Sequence, residues 1–364
     1  MKIGILTFHR AENFGAVMQC YALQKYIESL GYQVLVIDYR CKVIEQVYHV
    51  FNPSIIFNGN NKLQQLRAYL GRIKAFKPRL RKKHLYDNFR KSFLNLTEPI
   101  KTISELNCFD AVVVGSDQVW NSALTSGFDS MYFLDGQLKG RKIAYAVSTE
   151  GYSYRYYAQN SEKLKKLVEG FNIVSVREES FKQELSKYIQ RELEVCIDPI
   201  FLLDSKYYET LITQPSETGY VLVYHLVDSL PMSNMAKEIG EQVNKKVIEL
   251  HAGFGKNVDS ERVMHKHNIG PTELLGYIAY ADMVLTTSFH GLAFSILFHK
   301  PFWAIDNGST ARQRNLLTQL DLDRRIIAED EYVIYSECID YQMVDKKKEV
   351  LVSKSKQFIR QALS

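Results

Sequence analysis

The sequence holds only five cysteines in 364 residues: Cys20, Cys41, Cys108, Cys196 and Cys338. They are odd in number and widely separated, with no Cys-x-x-Cys or Cys-x-His spacing, which argues against a disulfide framework or a cysteine zinc site and for reduced thiols. No apolar run approaches the roughly 18 residues a membrane span needs, and the opening apolar segment turns polar after Phe8. The chain therefore reads as cytoplasmic, neither secreted nor inserted. It also lacks a Gly-x-Gly-x-x-Gly fingerprint and a Gly-x4-Gly-Lys-Ser/Thr loop, the usual dinucleotide and nucleotide signatures. His265 and His267 would share a side only in an extended strand, and no metal is expected, structural or catalytic.

What is present is ordinary globular composition, 46% apolar and 24% charged, at a length suited to two domains. The net charge of +5 is unevenly spread: residues 62–91 carry eleven Lys and Arg against the single acid Asp87, leaving the remainder acidic. This run is either a solvated helical face or a surface for an anionic membrane or a diphosphate-linked acceptor. No aromatic interleaving or helix-turn-helix pattern supports nucleic acid.

A strand at Lys2–Phe8, a polar loop, a helix at Ala16–Leu30 and a strand at Gln33–Tyr39 give a βαβ opening. Residues 41–105, with a Pro/Asn/Gly-rich loop at 52–61 and long basic helical stretches, read as an insertion. Strands follow at Ala111–Val114, Lys142–Ser148, Ile173–Arg177 and near Leu193–Cys196, and Asp198-Pro199 ends regular structure. After a linker at 200–219, strands at Tyr220–Leu226, Lys246–Leu250, Met283–Thr287 and Pro301–Ala304 alternate with helices, one of them at Gly291–Phe298. The expected fold is therefore α/β, with two doubly wound Rossmann-like domains, residues 1–199 and 220–345, facing across a cleft in the GT-B manner. The helix at 346–364 is expected to pack back on the first domain.

In such sheets ligands bind outside the carboxyl ends of the strands. Three loops there are unusually polar. In Thr286-Thr-Ser-Phe-His-Gly-Leu-Ala-Phe294, a helix N-terminus near Gly291 suits a phosphate, and His290 either clamps it, acts as an acid, or satisfies a local hydrogen bond while Ser288 caps the helix. In Gly115-Ser-Asp-Gln-Val-Trp120, Asp117 and Gln118 are expected to face the inter-domain cleft, Asp117 is a candidate base unless it or Ser116 caps the following helix, and Trp120 either stacks on a pyranose or packs in the core. In Asn13-Phe-Gly-Ala16, Gly15 permits close backbone approach, while Asn13 and Gln19 suit sugar hydroxyls or serve as an ordinary cap and turn. Arg177 and the pair Arg312 and Arg314, read as a loop after Trp303, offer bidentate anion binding or surface ion pairs.

Gly115-Ser-Asp-Gln-Val-Trp, Ala144-Tyr-Ala-Val-Ser148, Ser175-Val-Arg-Glu, Asp198-Pro199 and Ser288-Phe-His-Gly-Leu-Ala-Phe-Ser295 together resemble the polysaccharide pyruvyl transferase family, in that family's order, from Asn13 to about Leu317. The resemblance implies a phosphoenolpyruvate donor bound by the second domain, a sugar or lipid-linked oligosaccharide acceptor, and a cyclic pyruvate ketal as product, with no metal or organic cofactor. His290 and Arg177 are then the family-matched donor residues, joined by Ser288, Gly291, Arg312 and Arg314. Asn13, Gly15, Gln19, Asp117, Gln118, Trp120, Tyr145 and Ser148 fall on the acceptor side. The competing readings are a GT-B nucleotide-sugar glycosyltransferase, which would use the same helix end for a diphosphate, and an interaction protein working through its basic segment.

Overall fold

Ala111-Val-Val-Val114 has no polar alternation, as expected of a strand covered on both faces of a parallel sheet, and all four residues are buried. The computed structural model describes residues 1–49, 62–226, 229–251, 260–306, 308, 310–329, 331 and 338–364, with the side chains of 62–75 excluded. The loop at 52–61 lies outside the described residues. Two compact units result: unit 1 is Met1–Leu203 with Leu351–Ser364, and unit 2 is Asp204–Val350.

Unit 1 runs β1 (Lys2–Leu6), α1 (Phe14–Ser29), β2 (Gln33–Tyr39), α2 (Lys42–Tyr48), α3 (Lys62–Phe93), β3 (Leu96–Ile100), β4 (Ala111–Val114), β5 (Arg141–Val147), α4 (Ser153–Gln159), α5 (Ser161–Glu169), β6 (Ile173–Val176), α6 (Glu179–Leu185) and β7 (Glu194–Val195). Its seven strands lie in the order β3-β2-β1-β4-β5-β6-β7 and pair in parallel. The chain winds outward from β1 and then restarts at β4 on the other side, which places a switch point between these two strands.

The reading of 41–105 as an insertion needs correction, because its end forms β3, with Leu96 opposite Val36 in the sheet. The segment is a long β2-to-β3 crossover. Its helix is anchored by Phe89 and Phe93, whose rings meet Tyr21 edge-on at 6.3 Å. Asp198-Pro199 ends β7 but also starts a short 3-10 turn, capped by Asp198 Oδ1 accepting from the Ile200 N–H at 3.1 Å.

Unit 2 runs α7 (Ser205–Glu209), β8 (Tyr220–His225), α8 (Leu230–Gln242), β9 (Lys246–His251), β10 (Val263–His267), α9 (Pro271–Tyr280), β11 (Met283–Thr286), α10 (Phe289–Leu297), β12 (Phe302–Asp306), α11 (Ala311–Gln319) and β13 (Ile326–Ala328). Its sheet, β10-β9-β8-β11-β12-β13, repeats the same winding, with the switch between β8 and β11. β10, β13 and α7 add to the elements read from the sequence.

The last helix, α12 (Tyr341–Leu363), starts in unit 2 and ends in unit 1. Within unit 1 the Ser355 hydroxyl accepts from the Ile197 N–H at 2.9 Å, and Phe358 is buried beside Tyr145, ring centroids 6.1 Å apart. No helix among the described residues is long and apolar enough to cross a membrane.

Candidate functional site

In unit 2 the switch point is tied together by backbone and hydroxyl groups. The Thr286 hydroxyl donates to the Tyr224 carbonyl and accepts from the Ser288 N–H, both at 3.0 Å. Thr287 Oγ1 accepts from the Leu226 N–H at 3.1 Å. Ser288 is the N-cap of α10, its hydroxyl accepting from the Gly291 N–H at 3.2 Å. The helix thus begins at Phe289, two residues before the expected start. His290 therefore lies in the first turn, where backbone N–H groups lack intrahelical acceptors and the dipole is positive. Its side chain is buried, edge-on to Phe289 at 5.1 Å. Gly291 is required by packing: a Cβ there would lie 2.7 Å from Thr286 Oγ1 and 2.8 Å from Tyr224 Cδ1.

Arg312 and Arg314 do not lie in a loop but in the first turn of α11. Between them, Gln313 Nε2 donates to the Thr287 carbonyl at 2.8 Å, which joins this helix to the Ser288 turn. Arg314 is exposed and pairs with Asp306, which also accepts from the Gly308 N–H and the Thr310 hydroxyl. Burial alone would raise the Asp306 carboxyl, but these donors hold it below its ordinary range. Arg312 is half-buried.

In unit 1 the turn after β4 is locked to the start of α1. Gln19 Nε2 donates to Thr7 Oγ1 at 2.8 Å, Gln19 Oε1 accepts from the Ser116 N–H at 3.1 Å, and the Thr7 hydroxyl donates to the Ser116 carbonyl at 2.9 Å. Gly115 has φ +112°, and a Cβ there would collide with the Tyr145 carbonyl. Asp117, at φ +75°, adopts the left-handed region that a non-glycine residue rarely occupies, and its carbonyl accepts from the Ser148 N–H at 2.9 Å. It is 9% exposed. Asn13 caps α1 through the Ala16 N–H at 3.2 Å, and Gly15 is buried in the first turn.

Several acceptor-side expectations are corrected by burial. Trp120 is fully buried, stacked on Phe133 at 4.9 Å, with its indole N–H on the Tyr132 carbonyl at 3.0 Å, so its faces are spent on the core. Tyr145 is likewise buried and donates to the Ile197 carbonyl at 2.9 Å. Gln19 and Ser148 are also inaccessible, and both act on protein partners. Gln118 bridges Glu150, 2.9 Å from its Nε2, and Asn121, 2.6 Å from its Oε1. The exposed aromatic beside this network is Tyr152, 60% exposed, whose hydroxyl accepts from Asn121 at 2.8 Å.

Arg177 is buried and committed to internal partners. Its Nε–H reaches Glu178 Oε1 at 2.8 Å, one terminal nitrogen reaches Asp198 Oδ2 at 2.6 Å, and the other reaches the Ser148 hydroxyl at 3.1 Å. Burial opposes its charge, but Glu178 and Asp198 overcome that and hold Arg177 above its ordinary range.

The loop after β1 supplies groups that motif reading missed. Arg10 forms a fork onto Asp38, which also meets His9 Nε2 at 3.3 Å, and Arg90 of α3 donates to the His9 carbonyl at 3.3 Å. Burial raises the Glu12 carboxyl despite nearby Lys82, Lys83 and Arg90, while burial and then Asp117 and Glu12 push the Tyr48 phenol up to about 12. Glu12 is thus within electrostatic reach of Lys82, Lys83 and Arg90 of α3, and Tyr48 within reach of both Asp117 and Glu12. Part of the basic run is therefore engaged with the fold, Arg90 being buried on Asp87 and Lys82 half-buried with its ammonium 5.7 Å from the Tyr86 ring. The side chains of 62–75 lie outside the described residues. The residue types alone, an acid flanked by basic helix positions 70 residues onward, give no local signal for this cluster.

A family model described as polysaccharide pyruvyl transferase matches residues 13–309. No curated protein matches the sequence. Among solved structures, the chain is similar to a putative UDP-N-acetylglucosamine 2-epimerase from Listeria monocytogenes, with 11% identity, TM-score 0.51, and coverage of 99% of this chain and 91% of that one. It is also similar to UDP-GlcNAc 2-epimerase from Methanocaldococcus jannaschii, at 12% identity, TM-score 0.49 and coverage of 100% and 99%. The glycosyltransferase SnogD from Streptomyces nogalater aligns at 10% identity and TM-score 0.42, over 100% and 99% of the two chains. At such identities a likeness speaks to fold alone, and that to the Listeria structure agrees with the two parallel α/β units of this chain.

Proposed function

Because the chain belongs to the polysaccharide pyruvyl transferase family, we propose that it moves the enolpyruvyl unit of phosphoenolpyruvate onto two hydroxyls of one sugar, in a polysaccharide or its lipid-linked precursor. The observation that carries this reading is the turn from β11 into α10, where an imidazole stands in the first turn of a helix at the sheet's switch point. A phosphate there meets backbone N–H groups and the positive end of the dipole. Arg312 and Arg314, in the helix bound to that turn through Gln313, suit the donor's carboxylate and phosphate.

The reaction proceeds by protonation of the donor's methylene carbon, for which His290 is the assigned acid. The C=C electron pair takes the proton, leaving an electron-poor C2 that a sugar hydroxyl attacks with loss of its own proton. A second hydroxyl then attacks C2, its new C–O bond replacing the one to phosphate, and its proton leaves with inorganic phosphate as the ketal closes. Asp117 is assigned as the base that accepts the hydroxyl proton, held by the strained turn after β4. Tyr152 replaces Trp120 as the stacking surface for a pyranose, and Asn13 and Gln118 stand at the same strand ends. We assign Arg177 a positioning role: it fixes Ser148, Glu178 and Asp198 at the ends of β5, β6 and β7. The cations of α3 fit an anionic acceptor or the membrane surface that carries it.

Calorimetry with phosphoenolpyruvate, UDP and GDP tests the donor. The expected outcome is that phosphoenolpyruvate binds and that His290→Ala weakens it by about 1.5–3 kcal/mol, the range for charged hydrogen bonds. Binding of a nucleotide without phosphoenolpyruvate would overturn the reading in favour of a nucleotide-sugar glycosyltransferase.

A further inference from the structure

The parallel register of unit 2 sets His225, His251 and His267 side by side across β8, β9 and β10, and sets His265 opposite Glu249 one rank earlier. Residues two apart in a strand share a face. Four imidazoles and one carboxylate therefore gather on one side of the sheet near its carboxyl edge. His251 stacks on His267 at 4.8 Å and on His225 at 5.4 Å.

Three donor atoms converge further. His251 Nε2 and His265 Nδ1 are 3.0 Å apart, His265 Nδ1 is 3.1 Å from Glu249 Oε2, and His251 Nε2 is 3.7 Å from the same oxygen. In a tetrahedral site with metal–ligand bonds of about 2.0–2.1 Å, ligand atoms stand about 3.3–3.4 Å apart. The triangle here has that size. Glu249 is fully buried, and its other oxygen, Oε1, is held by the Ser233 hydroxyl and by His225 Nε2 at 2.5 Å. Oε2, directed at the two imidazoles, receives no hydrogen bond of good geometry among the described residues. Hydrogen bonds alone serve this arrangement poorly. Two imidazole nitrogens at 3.0 Å can share a single proton, and protonating both would set two N–H groups against each other.

We propose that Glu249 Oε2, His251 Nε2 and His265 Nδ1 bind one divalent transition-metal ion of the zinc class, with Ser233 and His225 orienting the carboxylate from behind. A cation would satisfy three lone pairs at once, and two imidazoles with one carboxylate form a known zinc donor set that leaves a fourth position open. Hard cations such as Mg2+ would be disfavoured by the two nitrogen ligands. The three ligands come from β9 and β10, whereas the His290 turn follows β11, with β8 between them in the same sheet.

The test uses the full chain, stripped with a chelator and then titrated with Co2+ alone, followed by competition with Zn2+. The expected result is one Co2+ per chain, with the visible ligand-field absorption of a four-coordinate ion that Zn2+ abolishes. His265→Ala and His251→Ala should each weaken binding by more than about 100-fold, and Ser233→Ala by about 10–100-fold, as outer-shell losses do. His299→Ala, on the exposed pair with Asp345, should change nothing. Absence of a stoichiometric ion in the wild type, or unchanged Co2+ binding in His265→Ala, would overturn the proposal. His265 reaches the surface, so this variant remains decisive even if His251→Ala does not fold.

Discussion

Replacing Arg177 with glutamine separates two roles for a residue that motif and structure treat differently. In the structure its side chain is 3% exposed, that of Glu178 is 4% and that of Asp198 is 0%, and all three sides of the guanidinium fork carry a contact. Arg177→Gln leaves two buried carboxylates without their cation. Breaking a buried pair from one side costs about 3–5 kcal/mol, because the stranded charge stays desolvated. For a unit of roughly 200 residues, each kcal/mol moves the midpoint by about 2–4 °C, so a fall of about 6–20 °C is expected. Arg177→Lys keeps the charge but cannot present the fork, and should fall between. Circular dichroism melts report stability, and calorimetry with phosphoenolpyruvate on the folded variant reports the donor. If Arg177→Gln melts within about a degree of the wild type while donor binding is lost, the guanidinium is a donor ligand and the positioning argument is wrong.

Other perturbations have equally definite outcomes. Gly291→Ala drives a methyl group against Thr286 and Tyr224, and should cost about 1–3 kcal/mol and reduce donor binding by displacing the Ser288 cap, as read by melting and calorimetry. A chromogenic thiol reagent should label Cys108 and Cys338 in the native protein but Cys20, Cys41 and Cys196 only after unfolding; burial pushes Cys196 up to about 11. Although burial would raise the Asp38 carboxyl, bonds from His9 and Arg10 hold it far below its ordinary range. Its stability contribution is therefore full above an unfolded value near 3.9 and is lost as pH falls through the folded one, so Asp38→Asn should flatten the acid limb of stability against pH.

The two windings were legible because buried parallel strands are continuous apolar runs, as in Ala111–Val114, and because helices between them carry a 3.6 period. β10 was not, since Val-Met-His-Lys-His offers neither a run nor an apolar alternation, and its identity comes from pairing with β9. β3 was hidden for a related reason: Leu-Thr-Glu-Pro-Ile is a partly exposed edge strand whose Pro99 reads as a breaker. The polar strand-end turns were found from their residue types. Whether each side chain faces ligand or core was not legible, because that is decided by distant partners. Trp120 meets Phe133 and the Tyr132 carbonyl, and Arg177 meets an aspartate 21 residues later. The start of α10 depends on one hydroxyl, that of Ser288, choosing the Gly291 N–H.

The passage of α12 from unit 2 into unit 1 gives the two units different histories on the ribosome. Unit 2 is a continuous stretch, complete once residue 350 has emerged, whereas most of unit 1 precedes it and lacks its closing piece until residues 351–364 follow. Domains generally fold as units during synthesis, and N-terminal ones usually lead. Here the order should invert at the last step: the Ile197 N–H and the face of Tyr145 wait for Ser355 and Phe358, translated more than 150 residues later. A premature stop near residue 350 would therefore spare the unit in which it falls and leave the amino-terminal one as the client of chaperones and proteases.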